Sequence, residues 1–116
     1  MFTFAVNTQQ TIDVGKGAMR FIFKSKDVER LYTERKNAHL YPSEAVDGFF
    51  RVMAIIRNAR DERDLWSLRS LNYEALKGRR SHQHSLRLNK QWRLIVERQT
   101  DDDGRLLWIV DIEDYH

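Results

Sequence analysis

The sequence predicts an α+β domain in which an N-terminal strand and two helices pack on one face of a small antiparallel sheet. Apolar residues recur at helical spacing in the first half of the chain, and strand-type alternation follows in the second half. A turn-forming run then separates the last two apolar stretches. Helices followed by hairpin-linked strands cover one face of a sheet, and the opposite face is left open for function.

The chain is expected to begin with an extension and a short strand. Residues 1–18 carry mixed polar residues and no sustained periodicity, which indicates a loosely ordered extension. The domain is therefore expected to span residues 19–116, a length at which one domain with one core is usual. Residues 19–23 have the apolar and β-branched content of a strand, which we expect to be the first element.

Two helices are expected between this strand and the middle of the chain. Ser25 is a candidate N-cap, and the residues after it predict a helix over residues 26–36. Ser43 follows the only proline of the sequence and is the N-cap expected for a second helix over residues 44–59. The second helix carries an apolar stripe that is expected to lie in the core: Phe49, Met53 and Ile56.

After a charged turn over residues 60–64, the pattern becomes that of three or four strands in a meander. The expected strand segments are residues 68–71 continuing to 76–78, then 84–88, 92–96 and 106–112. Residues 100–104 combine three aspartates with a glycine, which is typical of a tight connection between two strands. The last two strands are therefore predicted to form a hairpin.

Positive charge is concentrated in one segment of the chain. The net charge of the whole chain is +3, but residues 63–100 contain nine Lys or Arg and only three acidic residues, a net charge of +6. From residue 101 onward the acidic residues predominate. A concentrated basic segment favours a polyanionic partner such as RNA, because the release of counterions drives binding to phosphates.

The composition excludes several kinds of site. The sequence has no cysteine, so disulfides, zinc–thiolate centres and cysteine nucleophiles are excluded. The four histidines show no ligand spacing supported by carboxylates, and neither a metal nor another cofactor is expected. No stretch approaches the ~20 apolar residues of a membrane helix, and residues 1–10 lack the order of a signal peptide. The expectation is a cytoplasmic protein without a membrane partner.

Metal-free cleavage of RNA requires three kinds of group: a base for the ribose 2′-hydroxyl, cations for the transferring phosphate, and an acid for the leaving 5′-oxygen. Lys77 and Arg93 can supply cations, and His116 titrates near neutrality. Further basic residues of the same segment are predicted to bind RNA: Arg79, Arg80, Arg87 and Lys90.

Four short segments carry a family likeness. They are Leu76-Lys77-Gly78, Ser85-Leu86-Arg87-Leu88-Asn89, Trp92-Arg93-Leu94 and the final Asp114-Tyr115-His116. Together they resemble the HigB-like toxins of type II toxin–antitoxin systems, within the RelE/ParE superfamily. The resemblance runs from about residue 19 to the final residue and implies a RelE-like fold.

This resemblance implies a function and a set of roles. Toxins of this kind enter the ribosomal decoding site and cut mRNA there, and their usual partner is a helix-turn-helix antitoxin, HigA-like, encoded alongside. Lys77 and Arg93 match the family residues that face the scissile phosphate. Asp114, Tyr115 and His116 match the carboxy-terminal group implicated in catalysis, in which Tyr115 orients or stacks a base of the mRNA.

Several roles stay open at the level of the sequence. Lys77 could be only an exposed turn lysine, and Arg93 could stack on an aromatic ring or pair with Glu113. Asp114 could pair with Arg93 or Lys77, and either Asp114 or His116 could be the general base. His82 and His84 are spaced to share one strand face, but no third ligand accompanies them.

Two departures from the family pattern concern the contacts to neighbouring nucleotides, and hence codon preference. Glu74-Ala75 replaces a His-Pro pair, and residues 82–84 occupy a segment where glycine and an aromatic residue are common.

Two other functions are alternatives to mRNA cleavage. One alternative is a ParE-like toxin that inhibits gyrase, against which the Tyr-His ending argues. The other is a non-catalytic partner of a helix-turn-helix repressor.

Overall fold

The computed structural model describes residues 19–115 of the chain. They contain five strands and three α-helices. The strands are β1 (Arg20–Phe23), β2 (Glu74–Ala75), β3 (Gln83–Arg87), β4 (Trp92–Asp101) and β5 (Gly104–Asp114). The helices are α1 (Lys26–Glu34), α2 (Ser43–Asn58) and α3 (Glu62–Ser67). The predicted extension over residues 1–18 and the role predicted for His116 lie outside the described residues. No helix within residues 19–115 is long and apolar enough to span a membrane.

The sheet has the strand order β1-β5-β4-β3-β2, and the predicted α+β class is confirmed. From β2 to β5, each strand pairs antiparallel with the next strand along the chain, as a meander requires. β1 differs from the prediction because it runs parallel to β5, so the sheet is mixed. Three α-helices and three strands separate β1 from β5 along the chain, and such a long connection does not impose the antiparallel direction that a hairpin does.

The helix predictions are confirmed with shifted ends. The Ser25 hydroxyl caps α1 by accepting a hydrogen bond from the Val28 N–H at 3.3 Å. α1 ends at Glu34, two residues early, because Arg35 adopts a left-handed φ of 57° and closes the last turn. The prediction that Ser43 caps α2 is wrong. Ser43 is already helical, and Pro42 is the N-cap, whose carbonyl oxygen accepts from the next turn of the helix.

The region predicted as a charged turn followed by a strand contains a helix instead. Asp61 caps α3, because its carboxylate accepts a hydrogen bond from the Arg63 N–H at 2.9 Å. Residues 68–71 do not form a strand, since Arg69–Leu71 is a single 3-10 turn that ends at Asn72 with a φ of 45°. The strand expected near residues 76–78 is the two-residue β2, which ends before them.

The hairpin between β4 and β5 confirms the turn predicted near residue 102. Asp101 pairs with Gly104, whose φ of 111° is accessible to glycine but strained for other residues. Further along the hairpin, Ile95 pairs with Asp111 but Val96 pairs with Ile109, so β5 contains one extra residue at the bulge. The bulge keeps Ile109 and Ile112 both in the core.

The helices cover one face of the sheet and form the core with it. The predicted stripe of α2 is confirmed, since Phe49, Met53 and Ile56 are all fully buried. These side chains pack in one cluster with inward residues of the sheet: Phe21, Leu86, Leu94, Val96, Leu107 and Ile109. The strands therefore present alternate residues to the helices and to the opposite face.

α2 approaches the connection between β3 and β4 so closely that no side chain fits between them. A Cβ atom at Gly48 would overlap the carbonyl oxygen of Leu88 and lie 2.7 Å from its carbonyl carbon. One turn further along α2, the Arg51 guanidinium donates a hydrogen bond to the same Leu88 oxygen at 3.1 Å. Glycine at residue 48 therefore sets the separation between helix and sheet.

Gly48→Ala is expected to destabilise the fold by about 1–3 kcal/mol, because the added methyl group must displace backbone of a packed sheet. Alanine by itself favours a helix over glycine by ~1 kcal/mol. The same preference of alanine over glycine can be measured at the exposed neighbour Asp47. It is the difference in free energy of unfolding between Asp47→Gly and Asp47→Ala. Urea denaturation of the four proteins is the measurement. A Gly48→Ala variant as stable as the wild-type protein would show that the contact is not tight.

Candidate active site

The face of the sheet opposite the helices carries a row of charged residues. In the register of the three longest strands, Arg93 pairs with Arg87 on β3 and with Glu113 on β5. The next row belongs to the core and contains Leu86, Leu94 and Ile112. Alternation along the strands therefore places Arg87, Arg93 and Glu113 on the open face.

Arg93 is the most buried cation of this face. Its residue is only 6% exposed, and among the described residues neither Nε nor Nη1 of its guanidinium has a hydrogen-bond acceptor. The ring of Tyr115 lies over the guanidinium, 4.3 Å from its central carbon. Glu113, the other partner considered from the sequence, pairs with Arg80. A buried cation with unused donors favours an anion as ligand, because leaving such donors unpaired is costly.

The end of β5 and the residue after it are held by the connection between β3 and β4. The backbone N–H of Tyr115 donates to the Gln91 carbonyl oxygen at 2.6 Å, and Gln91 Nε2 donates to Asp114 Oδ2 at 2.9 Å. Gln91 itself lies in a turn that Asn89 organises, since Asn89 Oδ1 accepts from the N–H groups of Gln91 and Trp92 at 2.8 and 2.7 Å. These contacts hold Asp114 and Tyr115 beside the turn, and the Tyr115 ring reaches the Arg93 guanidinium.

Arg80 spans the open face rather than projecting from it. Its guanidinium binds both carboxylate oxygens of Glu113 at 2.9 and 3.0 Å and also donates to Gln83 at 2.8 Å. The hydrogen bonds to Glu113 raise the pKa of Arg80 above its usual value. Contact between Arg80 and RNA stays a prediction, and it requires a phosphate to compete with the Glu113 carboxylate.

The other predicted RNA-binding residues are exposed around this face. Lys77 and Arg79 flank Gly78, which has a φ of 66° at the start of the 3-10 turn Gly78–Arg80. Arg87 ends β3, and Lys90 lies in the turn beside Gln91. No hydrogen bond, ion pair or ring contact described within residues 19–115 joins Lys77 to Arg93. The structure thus brings together Arg93 and Tyr115. It leaves Lys77 in the adjacent turn, and Asp114 is the strand partner of Trp92 rather than of Arg93.

His82 and His84 do not share an environment. His84 is buried at 3% exposure and stacks on the Tyr73 ring with 4.8 Å between the ring centroids, whereas His82 precedes β3 and is exposed. Burial, followed by the positive charge of Arg98, lowers the pKa of His84. Residues 19–115 contain no group of three or more His, Asp or Glu that could hold a metal ion.

Sequence reasoning missed the residues that hold the site. Asn89 and Gln91 make their contacts in the turn between two predicted strands, where an asparagine followed by polar residues is a turn signal. That signal indicates the turn but not that its Gln91 side chain reaches the last strand. The Gln91–Asp114 contact joins residues 23 apart in the chain and depends on the tertiary structure.

A family model and one relative match the chain over most of its length. The model of the family described as "RelE-like toxin of type II toxin-antitoxin system HigB" matches residues 21–114. Toxin HigB-1 of Vibrio cholerae serotype O1 is 35% identical over 79 residues, which are 68% of this chain and 83% of that toxin.

Two solved structures share the fold. A YoeB/ParE toxin from Agrobacterium tumefaciens is 14% identical, has a TM-score of 0.52, and is matched over 83% of this chain and 98% of its own. A chain of the YoeB-YefM complex from Staphylococcus aureus is 20% identical, has a TM-score of 0.51, and is matched over 84% of this chain and 97% of its own.

His84 is expected to make the stability of the fold depend on pH. Because its pKa is lowered in the folded state, the unfolded chain takes up a proton at about pH 6.5 while the folded chain resists it. Stability should therefore fall as the pH falls below about 6.5. His84→Phe keeps a ring against Tyr73 and should lose less stability than the wild-type protein between pH 7 and pH 5 in urea denaturation. Equal losses would contradict the assignment.

Proposed function

The chain belongs to the HigB-like toxins, which are RelE-like toxins of type II toxin–antitoxin systems, and we propose that it is a ribosome-dependent endoribonuclease that cuts mRNA. The observation that supports this activity most directly is the Arg93 guanidinium. It is buried beside the Tyr115 ring and has two N–H groups without an acceptor among the described residues. A phosphate group would satisfy such donors, and an aromatic ring beside it suits an unstacked base.

The reaction proposed is a transesterification within the mRNA. The ribose 2′-oxygen attacks the adjacent phosphorus, a base takes the 2′-hydroxyl proton, and the bond from phosphorus to the 5′-oxygen breaks. An acid gives a proton to that 5′-oxygen, so the products are a 2′,3′-cyclic phosphate and a free 5′-hydroxyl. Negative charge accumulates on the phosphate oxygens during the step, and oriented cations lower the barrier by stabilising it.

The described residues suit the electrostatic part of this reaction. Arg93 would bind the phosphate through its unused donors, and Lys77 would add a second cation from its exposed turn. Tyr115 would orient or stack a base of the mRNA. The general base would be Asp114, which is exposed and bound by Gln91, or His116. Free RNA would be a poor substrate, because the ribosome and the mRNA would complete the geometry of the site.

The proposed partners follow from the same assignment. A toxin of a type II system is expected to bind an antitoxin, which we propose is a HigA-like helix-turn-helix protein that acts in the cytoplasm, where ribosomes and mRNA are found. We place the antitoxin on the exposed sides of α1 and α2 rather than on the open face of the sheet. Those sides carry charges of both signs, including Lys26, Arg30 and Glu34 on α1.

Arg93→Ala and Lys77→Ala are each expected to lower mRNA cleavage by about 10²-fold or more, because each removes a cation from a phosphoryl-transfer site. Cleavage is measured by mapping new mRNA 5′ ends in a cell-free translation reaction. Arg105→Ala is the matched control, since it removes an exposed arginine at the opposite end of β5 and should leave cleavage unchanged.

Three results would contradict this function or a role within it. Full activity of Arg93→Ala or Lys77→Ala at equal concentration of folded protein would remove that residue from the mechanism. A wild-type chain that cuts no mRNA on ribosomes but inhibits gyrase supercoiling would support the ParE-like alternative. A chain that does neither but binds a helix-turn-helix repressor would support the non-catalytic one.

His116→Gln should lower single-turnover cleavage by roughly 10²–10⁴-fold if His116 transfers a proton, the usual range for a positioned acid or base. Ribosome binding should hardly change, because one side chain adds little to a large, charge-driven interface. Asp114→Asn, which can still accept from Gln91, is the comparison. Unchanged cleavage in His116→Gln together with a loss in Asp114→Asn would transfer the role of base to Asp114.

A further inference from the structure

Gln91 binds two consecutive residues, the last residue of β5 and the one after it. Its carbonyl oxygen accepts the Tyr115 N–H at 2.6 Å, and its side-chain Nε2 donates to Asp114 Oδ2 at 2.9 Å. The side chain of Gln91 is exposed, so the core does not explain why it takes this position. An exposed residue that makes hydrogen bonds to two neighbouring residues of a distant segment fixes the position of that segment rather than filling the core.

The turn that carries Gln91 is itself rigidly placed. Asn89 Oδ1 accepts from the N–H of Gln91 and of Trp92, and the Leu88 N–H donates to the Trp92 carbonyl at 2.9 Å. At the start of the turn, the Leu88 carbonyl accepts from Arg51 of α2. Gln91 is therefore a fixed point against which the end of β5 can be held.

The segment that Gln91 holds is the one that covers Arg93. Strand pairing ends at the Trp92–Asp114 pair, and a chain beyond the last pair of a sheet frays unless it is tied down. Tyr115 is 47% exposed, yet its ring lies 4.3 Å from the Arg93 guanidinium carbon. Gln91 accepts one hydrogen bond from the Tyr115 backbone and donates one to the Asp114 side chain. These two contacts direct the backbone so that the Tyr115 ring reaches Arg93.

We propose that Gln91 is a positioning residue for the active site. It does not touch the phosphate; it holds Asp114 and Tyr115 so that the tyrosine ring stacks on Arg93. The consequence for cleavage rests on the proposed function. The structural statement does not, since it concerns only the position of Tyr115 relative to Arg93.

The chemistry of the contact selects the test. Methionine has nearly the length and shape of glutamine but no N–H donor, so Gln91→Met removes the bond to Asp114 and retains the backbone bond to Tyr115. Gln91→Glu would place a second carboxylate against Asp114 and should displace the segment further. The matched control is Gln99→Met, which makes the same exchange in β4 where the glutamine bonds only to Glu97 of its own strand among the described contacts.

The first measurement is NMR of the full chain. The Tyr115 ring should shift the resonances of the Arg93 Cδ protons and Nε–H upfield, and Tyr115→Leu defines the complete loss of this shift. Gln91→Met should lose most of the shift and Gln91→Glu nearly all of it, whereas Gln99→Met should keep it. Unfolding temperatures should stay close to that of the wild-type chain. An unchanged Arg93 shift in both Gln91 variants would overturn the proposal.

The second measurement is mRNA cleavage on ribosomes, with the rate at saturation separated from the ribosome concentration at half-saturation. Displacing a catalytic segment should lower kcat about ten- to a hundred-fold with KM nearly unchanged. A raised KM with an unchanged kcat would overturn the proposal, because Gln91 would then be contacting RNA itself. So would unchanged cleavage with a lost Arg93 shift. A wild-type chain that cuts no mRNA would contradict the proposed function alone, and the NMR result would still decide whether Gln91 places Tyr115.

Discussion

The close approach of α2 to the β3–β4 turn is the constraint on which the site depends. Gly48 lets the helix backbone meet the carbonyl of Leu88, and Arg51 bonds to the same oxygen. The turn that begins there carries Gln91, which holds Asp114 at the end of β5 and Tyr115 after it. Successive contacts therefore join α2 to the β3–β4 turn and that turn to the end of β5. Through them, packing on the helix-covered face of the sheet contributes to the geometry of the open face.

At Arg93 the fold leaves buried hydrogen-bond donors without described acceptors, which lowers its stability. A buried donor without an acceptor costs about 1–3 kcal/mol, and the guanidinium has two of them among the described contacts. Stacking with Tyr115 offsets part of this cost, by up to about 2 kcal/mol for a desolvated cation. The nearby Glu113 is bound by Arg80 instead. The Glu113 carboxylate, although on the strand neighbour of Arg93, is thus paired with Arg80.

Much of the fold could be predicted because its signals are local. Ser25 caps its helix through a contact three residues away, and the α2 stripe follows from helical periodicity. The prediction failed where short elements compete. α3 has only six residues, among them several charges, so its periodicity is too brief to recognise and its cap at Asp61 was the available signal. The candidate site was predicted mainly from family likeness, and its catalytic roles remain proposals.

The sequence by itself determined the order of β1, α1, α2 and the last three strands, the concentration of basic residues in one segment, the absence of cysteine chemistry and the presence of Arg93, Asp114 and Tyr115. The tertiary structure alone decided that β1 runs parallel to β5, that Arg80 binds Glu113, and that Gln91 holds the chain beside Arg93. The reason is physical. Periodicity shows which face of a strand a residue occupies, whereas its neighbours on that face depend on pairing, register and a one-residue bulge, which are set by contacts between distant segments.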